Sequence, residues 1–317
     1  MPTSVAAMLT GRKIVVAYNP TAGAGNREQR VRELEASLRK EGFETELCSH
    51  PDQITELVSR LSAEGELRGV IAAGGDGTVA MAVNRLPIGI PLAILPLGTE
   101  NLLSRYLFHH AQVERVTELF RTGRVVQLDA ATANGRLFCL MAGCGFDAEV
   151  VRRTHAERRG HIRHWSYIKP ILSAIRTYTY PLMTVTVERE GQPSETFECR
   201  WAFITNIPRY AGGLRFSPQA HSHDGLLDAC LFRHGSLFTG LMYLMGVVTG
   251  THSRRCDVSL RQGTTIRISS NEPIPFQLDG DPGGELPLEI RCLPGRLNMI
   301  VSSDWARQQG FTFYDAE

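Results

Sequence analysis

No uncharged apolar run in the 317 residues is long enough to cross a bilayer: the best, 235–251, is broken by Gly240, Gly246 and Gly250 and falls short of the roughly 20 residues a spanning helix needs. Met1 to Leu9 hold neither a basic cluster nor a long apolar core, so no secretory leader is expected. The seven cysteines form no C-x-x-C pair and no knuckle spacing, which excludes the common zinc modules and favours reduced thiols in the cytoplasm. Neither sign of charge is in excess; a formal charge of +1 gives no overall attraction for nucleic acid, and no nucleic-acid partner is expected. Internal repeats and low-complexity linkers are absent, which excludes solenoids and tethered modules. The glycine-rich turns match neither G-x-x-x-x-G-K-[S/T] nor G-x-G-x-x-G, so a P-loop ATPase and a dinucleotide dehydrogenase are disfavoured.

What remains is an ordinary globular composition, 43% hydrophobic and 21% charged, in a chain long enough for two domains. From Lys13 to about Gly123 short apolar runs alternate with amphipathic ones, predicting strands over 14–17, 43–47, 69–73 and 91–95. Between them Val31, Leu34 and Leu38 share a helical face, as do Ile54, Leu57, Val58 and Leu61, and then Val79, Val83 and Leu86. Strands separated by helices imply a doubly wound α/β domain whose parallel sheet is covered on both faces. After Val125 the pattern turns to strands, over 125–133, 137–142, 183–188, 197–204, 227–232, 265–269 and 286–292, with turns at Asn134-Gly135 and 189–192. A second, mainly antiparallel β-sandwich domain is expected. The boundaries follow from the change of period: 1–124, 125–302, and a polar segment 303–317 lying back across the first domain.

Gly74-Gly75-Asp76-Gly77-Thr78 stands between an expected strand and the helix that begins with Val79 and Ala80. Glycines at such a turn let backbone N–H groups approach a polyphosphate, and the helix N-terminus adds partial positive charge. Asp76 suits orienting the loop or holding magnesium through water, and the Thr78 hydroxyl suits a phosphate oxygen. A plain tight turn with a helix cap is the competing reading. Two more turns end neighbouring strands: Tyr18-Asn19-Pro20-Thr21-Ala22-Gly23 and Leu95-Pro96-Leu97-Gly98-Thr99-Glu100-Asn101. Ligands bind beyond the strand ends of open α/β sheets, so the three turns converge on one crevice, to which Asn19 and Thr99 bring side-chain hydrogen bonds.

In the second half, Gln277-Leu278-Asp279-Gly280-Asp281-Pro282 places two carboxylates on one turn. Phosphoryl transfer to an alcohol needs a carboxylate to take the hydroxyl proton, which assigns Asp281 as base and Asp279 as its supporting partner; a structural turn is the alternative. Asp224-Gly225-Leu226-Leu227-Asp228 is a second acidic turn, either self-bonded or a cation site. From Arg152 to Lys169 six basic residues face Glu157 alone, followed by Trp165, Tyr167 and Ile168. Such a stretch suits peripheral contact with anionic membranes, or is a solvated face. Leu237, Leu241, Leu244, Met245 and Val248 make a helix apolar nearly all round, whose default is core packing and whose alternative is a wall for an acyl chain.

Asn19-Pro20-x-Ala22-Gly23, Gly74 to Thr78, Pro96-Leu97-Gly98-Thr99-x-Asn101, Gly145-Phe146-Asp147, the turn 224–228 and Asp279-Gly280-Asp281 occur in an order that resembles the diacylglycerol kinase catalytic-domain family. That family includes bacterial soluble lipid kinases, sphingosine kinases and ceramide kinases, and the likeness runs from about Arg12 to Val301. It implies an NAD kinase- and phosphofructokinase-like nucleotide-binding domain over 1–124, a β-rich lipid-binding domain over 125–302, and an active site between them. It also implies ATP and Mg2+, a lipid substrate, and transfer of the terminal phosphate to a lipid hydroxyl. By the same resemblance Gly74, Gly75, Asp76, Gly77, Thr78, Val79, Ala80 and Thr99 bind ATP, Asp281 accepts the proton, and the turn from His221 to Leu226 holds a structural magnesium through Asp224 and the Leu226 carbonyl. This sequence departs from the family in having Asp281 where Glu is frequent, Leu102 for Asp, Met81 for Glu, and His221 where an oxygen ligand is expected. Phosphorylation of a soluble hydroxyl, as in NAD kinase, and a catalytically inactive nucleotide- or lipid-binding relative are the competing functions. A homodimer is compatible with the sequence.

Overall fold

The computed structural model describes residues 10–18, 27–156 and 177–313. They form two compact units, one holding the residues up to Asp129 together with those from Gly295, the other Ala130–Pro294.

The first unit alternates β1 (Lys13–Tyr18), α1 (Arg27–Lys40), β2 (Glu44–Cys48), α2 (Pro51–Ala63), β3 (Leu67–Gly74), α3 (Asp76–Arg85) and β4 (Pro91–Pro96), followed by the short α4 (Leu102–Tyr106) and α5 (Val113–Thr122). Its strands lie in the order β2-β1-β3-β4, every neighbour parallel. Parallel strands need crossovers, and the apolar stripes of the helices supply the cover. Val31, Leu34 and Leu38 of α1 and Val113, Val116 and Phe120 of α5 join Ile14, Val16, Ile71, Ala73, Ala93 and Leu95 in one core. Each large side chain so buried is worth about 2 kcal/mol. On α2, Ile54, Val58 and Leu61 are buried as the period predicts.

A fifth strand comes from far along the chain. β16 (Leu288–Val301) pairs in parallel with β4 through Asn298 and Met299, and Ile300 enters the first core. Beyond it Ser302 caps the helix Ser303–Gln308, whose Trp305 is fully buried and donates its indole N–H to the Tyr106 carbonyl at 2.6 Å.

The second unit is a β-sandwich. The chain enters it on β5 (Arg124–Ala133), turns at Asn134-Gly135, both with positive φ, and returns on β6 (Arg136–Phe138). β7 (Met141–Gly145), α6 (Phe146–Ala156), β8 (Met183–Glu188), β9 (Glu195–Cys199), β10 (Trp201–Thr205), β11 (Leu227–Phe232), the helix Leu237–Thr249, β12 (Val258–Gly263), β13 (Thr265–Ser269), β14 (Pro275–Leu278) and β15 (Asp281–Glu285) follow. One sheet runs β12-β11-β10-β7-β14-β15; the first part of β16 pairs with β13, then β8 and β9, in the other. All these pairs are antiparallel. Met183, Val185 and Val187 alternate inward from β8 and meet Ala142, Cys144, Ala202, Ile204 and Leu231 of the facing sheet.

Two runs that read as single strands are each divided. The run 197–204 breaks at Arg200, with β9 pairing β8 in one sheet and β10 pairing β7 and β11 in the other. The run 137–142 breaks at Cys139-Leu140 in the same way. Strands that change sheets keep facing one core, so their apolar character is continuous while their ladder is not.

His109 secures the fifth strand of the first unit. Its Nδ1 accepts from the Ile94 N–H at 3.2 Å, so the proton sits on Nε2, which donates to the Ile300 carbonyl at 2.9 Å. The ring thereby extends the β4–β16 pairing in its neutral form, and burial drives its pKa down to about 4. Because the unfolded chain takes up this proton first as the pH falls, the stability His109 contributes is complete above about pH 6.5 and is lost on descending towards pH 4. We expect wild type to lose about 2 kcal/mol more than His109→Gln between pH 7.5 and pH 5. Urea unfolding at both values checks this, and equal losses would remove His109 as the cause.

Candidate active site

In the first unit the strand-to-helix turn is closed by main chain. α3 starts without a side-chain cap, with the Gly75 carbonyl accepting from the N–H groups of Thr78 and Val79. A Cβ on Gly74 would lie 2.1 Å from Thr78 Oγ1. One on Gly98 would lie 2.5 Å from the Gly75 Cα and 2.7 Å from Asn101 Oδ1. The second and third predicted turns therefore touch, backbone to backbone, because neither carries a side chain there. The Leu97 N–H donates to the Gly74 carbonyl at 2.9 Å across the same gap. Gly77, by contrast, is exposed with nothing within 4 Å of a Cβ, so the helix N-terminus is open to a ligand.

Polar side chains hold this arrangement. Asn101, in the left-handed region at φ 49°, accepts the Gly98 N–H at 2.9 Å and donates back to its carbonyl at 2.8 Å. Asp76 accepts from the Leu103 N–H at 3.4 Å and from that of Leu102; burial raises its carboxyl above the usual range against those two bonds. Asp76 thereby ties the start of α3 to the start of α4. Thr99 is exposed at the tip of its turn, while Val79 is buried and Ala80 half-buried on α3. Arg27 donates to the Leu97 carbonyl at 3.2 Å, bringing a half-buried cation to the third turn that no local pattern had singled out. Asn19 and the rest of its turn lie outside the described residues.

In the second unit Asp279 and Asp281 take different tasks. Asp279, at φ 52°, accepts three main-chain N–H groups, from Cys139 at 2.8 Å, Leu140 at 2.9 Å and Met141 at 3.0 Å. These are the groups that the corner between β6 and β7 deprives of a ladder. Gln277 accepts the Gly280 N–H at 2.8 Å and donates to Asp147 at 3.0 Å, and Tyr210 donates to the other Asp147 oxygen. Gly143, opposite Gln277 in the ladder, has no room for a Cβ, which would meet Asp147 Oδ2 at 2.2 Å. Burial raises the Asp147 carboxyl, opposed by the bonds from Tyr210 and Gln277. The turn so braced presents Asp281 half-exposed, with His155 Nε2 at 3.4 Å and Arg136 at 3.8 Å. His155 and Tyr210 carried no sequence signal for this place; Asp147 was marked only by its Gly-Phe-Asp neighbours.

The turn at 221–228 is partly self-bonded: Asp224 accepts the Leu226 N–H at 3.0 Å. Asp228 is buried, accepts from Gln262 at 3.3 Å, and has Oδ2 without a hydrogen-bond partner, so burial pushes its carboxyl up to about 6. His221 is exposed, with its ring 6.0 Å from that of His223. Among the described residues no three acidic, histidine or cysteine side chains gather as a metal site. The helix Leu237–Thr249 departs from the core-packing default, since Phe238, Leu241, Leu244, Met245 and Val248 are all exposed. No described helix is long and apolar enough to cross a membrane.

The α/β unit carries a glycine-built turn at a helix N-terminus, and the β-sandwich carries a carboxylate on a braced turn; each is a feature expected of a kinase. The comparisons agree. Residues 13–133 match the diacylglycerol kinase catalytic domain and residues 141–301 the YegS C-terminal NAD kinase beta sandwich-like domain. The chain belongs to the diacylglycerol kinase catalytic-domain family, whose members are lipid kinases. It is 28% identical over 301 residues to the Synechocystis protein sll0036, covering 90% of this chain and 69% of that one. It is 24% identical to the diacylglycerol kinase of Staphylococcus carnosus, covering 91% and 95%. A crystal structure assigned as a diacylglycerol kinase from Bacillus anthracis str. Sterne superposes with a TM-score of 0.72 at 26% identity, covering 93% and 98%.

Two contrasts test the geometry. Gly98→Ala is expected to cost about 1–3 kcal/mol of stability and to weaken ATP binding, whereas Gly77→Ala should leave stability within about 1 kcal/mol yet weaken ATP binding about tenfold. Thermal unfolding and calorimetric titration separate the two. Asp279→Ala is expected to lower stability by about 3 kcal/mol, because three buried N–H groups lose a charged acceptor. Denaturant unfolding reads this directly, and a loss below about 1 kcal/mol would show that the corner does not need the carboxylate.

Proposed function

We propose that this protein transfers the terminal phosphate of ATP, with magnesium, to a hydroxyl of a diacylglycerol-like or sphingoid lipid. The observation that carries the reading is the main-chain contact between Gly75 and Gly98, which holds two turns together while Gly77 stays open at the start of α3. Backbone amides there, with Thr78, Thr99 and Arg27, suit a polyphosphate. Gly74, Val79, Ala80 and Asn101 shape the cradle, and Asn19 belongs to it by resemblance.

Asp281 is the proton acceptor in this proposal. Asp279 acts through it, as the anchor of the turn that presents it, rather than by touching substrate. Phosphoryl transfer leaves the protein mainly positioning and charge stabilisation to supply, and magnesium, when bound, neutralises the phosphates. At the second acidic turn Asp224, the Leu226 carbonyl and the unpartnered Asp228 oxygen are hard oxygen donors of the kind magnesium takes, whereas His221 is not. We assign a structural magnesium to that turn, with carbonyls and water completing its ligands. Five of the seven cysteines are buried, and burial drives the Cys199 thiol up to about 12, which suits unreactive thiols in the cytoplasm.

Transfer to a soluble hydroxyl is the second reading, favoured by the NAD kinase-like description of the sandwich. Labelled ATP offered with diacylglycerol, phosphatidylglycerol, sphingosine, ceramide and NAD distinguishes the two; label in NAD alone would reverse the ranking. Asp281→Asn is expected to lower transfer by about a hundredfold or more while ATP binding persists. Turnover within about threefold of wild type would remove Asp281 from the reaction.

A further inference from the structure

The helix Leu237–Thr249 contains no charged residue and is apolar on both sides. Its inner side is sealed. Gly240 abuts the Trp201 ring, Val247 is buried, and Tyr243, 1% exposed, donates to Asp257 at 3.0 Å. On the opposite side Phe238, Leu241, Met245 and Val248 recur at the helical period with 70%, 59%, 55% and 62% exposure, and Leu244 lies beside them. The other exposed large hydrophobics among the described residues, Leu47, Ile88, Phe108 and Leu182, are dispersed along the chain. A single exposed apolar residue needs no explanation, but a contiguous stripe marks a surface with a partner.

Charge around the stripe selects that partner. From residue 229 to 256 there is no Asp or Glu, while Arg233 and Arg254 stand exposed beyond the two ends of the helix. Neither has an ion-pair partner among the described residues; Arg255, by contrast, is paired with Asp257. Two copies of the helix placed face to face about a two-fold axis would oppose arginine to arginine, in either direction of the helices. An anionic bilayer has the complementary arrangement, with headgroups for the arginines and acyl chains for the stripe.

We propose that the outer face of the helix Leu237–Thr249 docks in the plane of an anionic lipid bilayer. Phe238, Leu241, Met245 and Val248 enter the acyl boundary, and Arg233 and Arg254 engage the headgroups. The use of such docking, reaching a membrane-borne acceptor, rests on the lipid-kinase reading; the docking itself does not need catalysis. The test is sedimentation of the full chain, without ATP, with vesicles of phosphatidylcholine alone or mixed with phosphatidylglycerol. Wild type should partition onto the mixed vesicles, Phe238→Ser with Met245→Ser should lower that partition about tenfold or more, and Arg233→Gln with Arg254→Gln about tenfold. All four side chains are exposed, and circular dichroism confirms that the variants fold. Undiminished binding by the serine variant, no binding by wild type, or equal binding to uncharged vesicles overturns the proposal. So does a wild-type dimer in light scattering that the serine variant dissolves, which would give the stripe to a second copy. Absence of lipid phosphorylation with intact vesicle binding would sink the acceptor reading and leave the docking standing.

Discussion

The second unit depends on one carboxylate. Where the chain leaves β6 for β7 it changes sheets, and the main chain at Cys139, Leu140 and Met141 loses the partners a continuous strand would provide. Buried N–H groups without acceptors are costly, and Asp279 meets all three. The same interaction ties the tip of the β14–β15 hairpin to the corner, and Asp281 stands on that tied turn. Asp147, Tyr210 and Gln277 brace the turn from its other side. Structural need and site geometry are satisfied by one residue two positions from the proposed base.

The first unit solves its problem by omission. Two turns must come together at the strand ends, and Gly75 against Gly98 achieves this by having nothing in between. Asn101 and Asp76 then take up N–H groups that the close approach leaves without strand or helix partners. A polar layer of this kind fixes a loop without filling the space in front of the exposed Gly77.

Much of this was readable from residues alone, and the reasons are local. The β-α rhythm from Lys13 to Pro96 is carried by short apolar runs and helical stripes, both set by near neighbours. The Asn134-Gly135 hairpin announces itself by residues that accept positive φ, and the glycine turn after β3 by the missing Cβ at Gly74, which would collide with Thr78. What escaped was non-local. The stretch 297–301 lies beyond the last expected strand, 286–292, and nothing nearby says that it pairs with β4. Breaks at Arg200 and Cys139 are invisible to periodicity, since both halves of each run face the same core. Sequence separates Asp281 from Asp279 as base and supporting partner, but the three main-chain N–H groups that Asp279 anchors lie 138 to 140 residues away and leave no local trace. Arg27, His155 and Tyr210 reach their sites across long stretches of chain. The apolar helix Leu237–Thr249 looked like core because composition reports how apolar a helix is and not how many of its sides are covered.

The fifth strand of the first unit's sheet has a consequence for the order of events during synthesis. Its residues, 297–301, follow the whole sandwich in the chain, yet His109 and β4 await them for their hydrogen bonds. The nascent N-terminal half therefore emerges with an open sheet edge and an unsatisfied imidazole. It can close only once residues 297–301 have been made, so the ribosome delivers the second unit's ingredients before the first unit is whole.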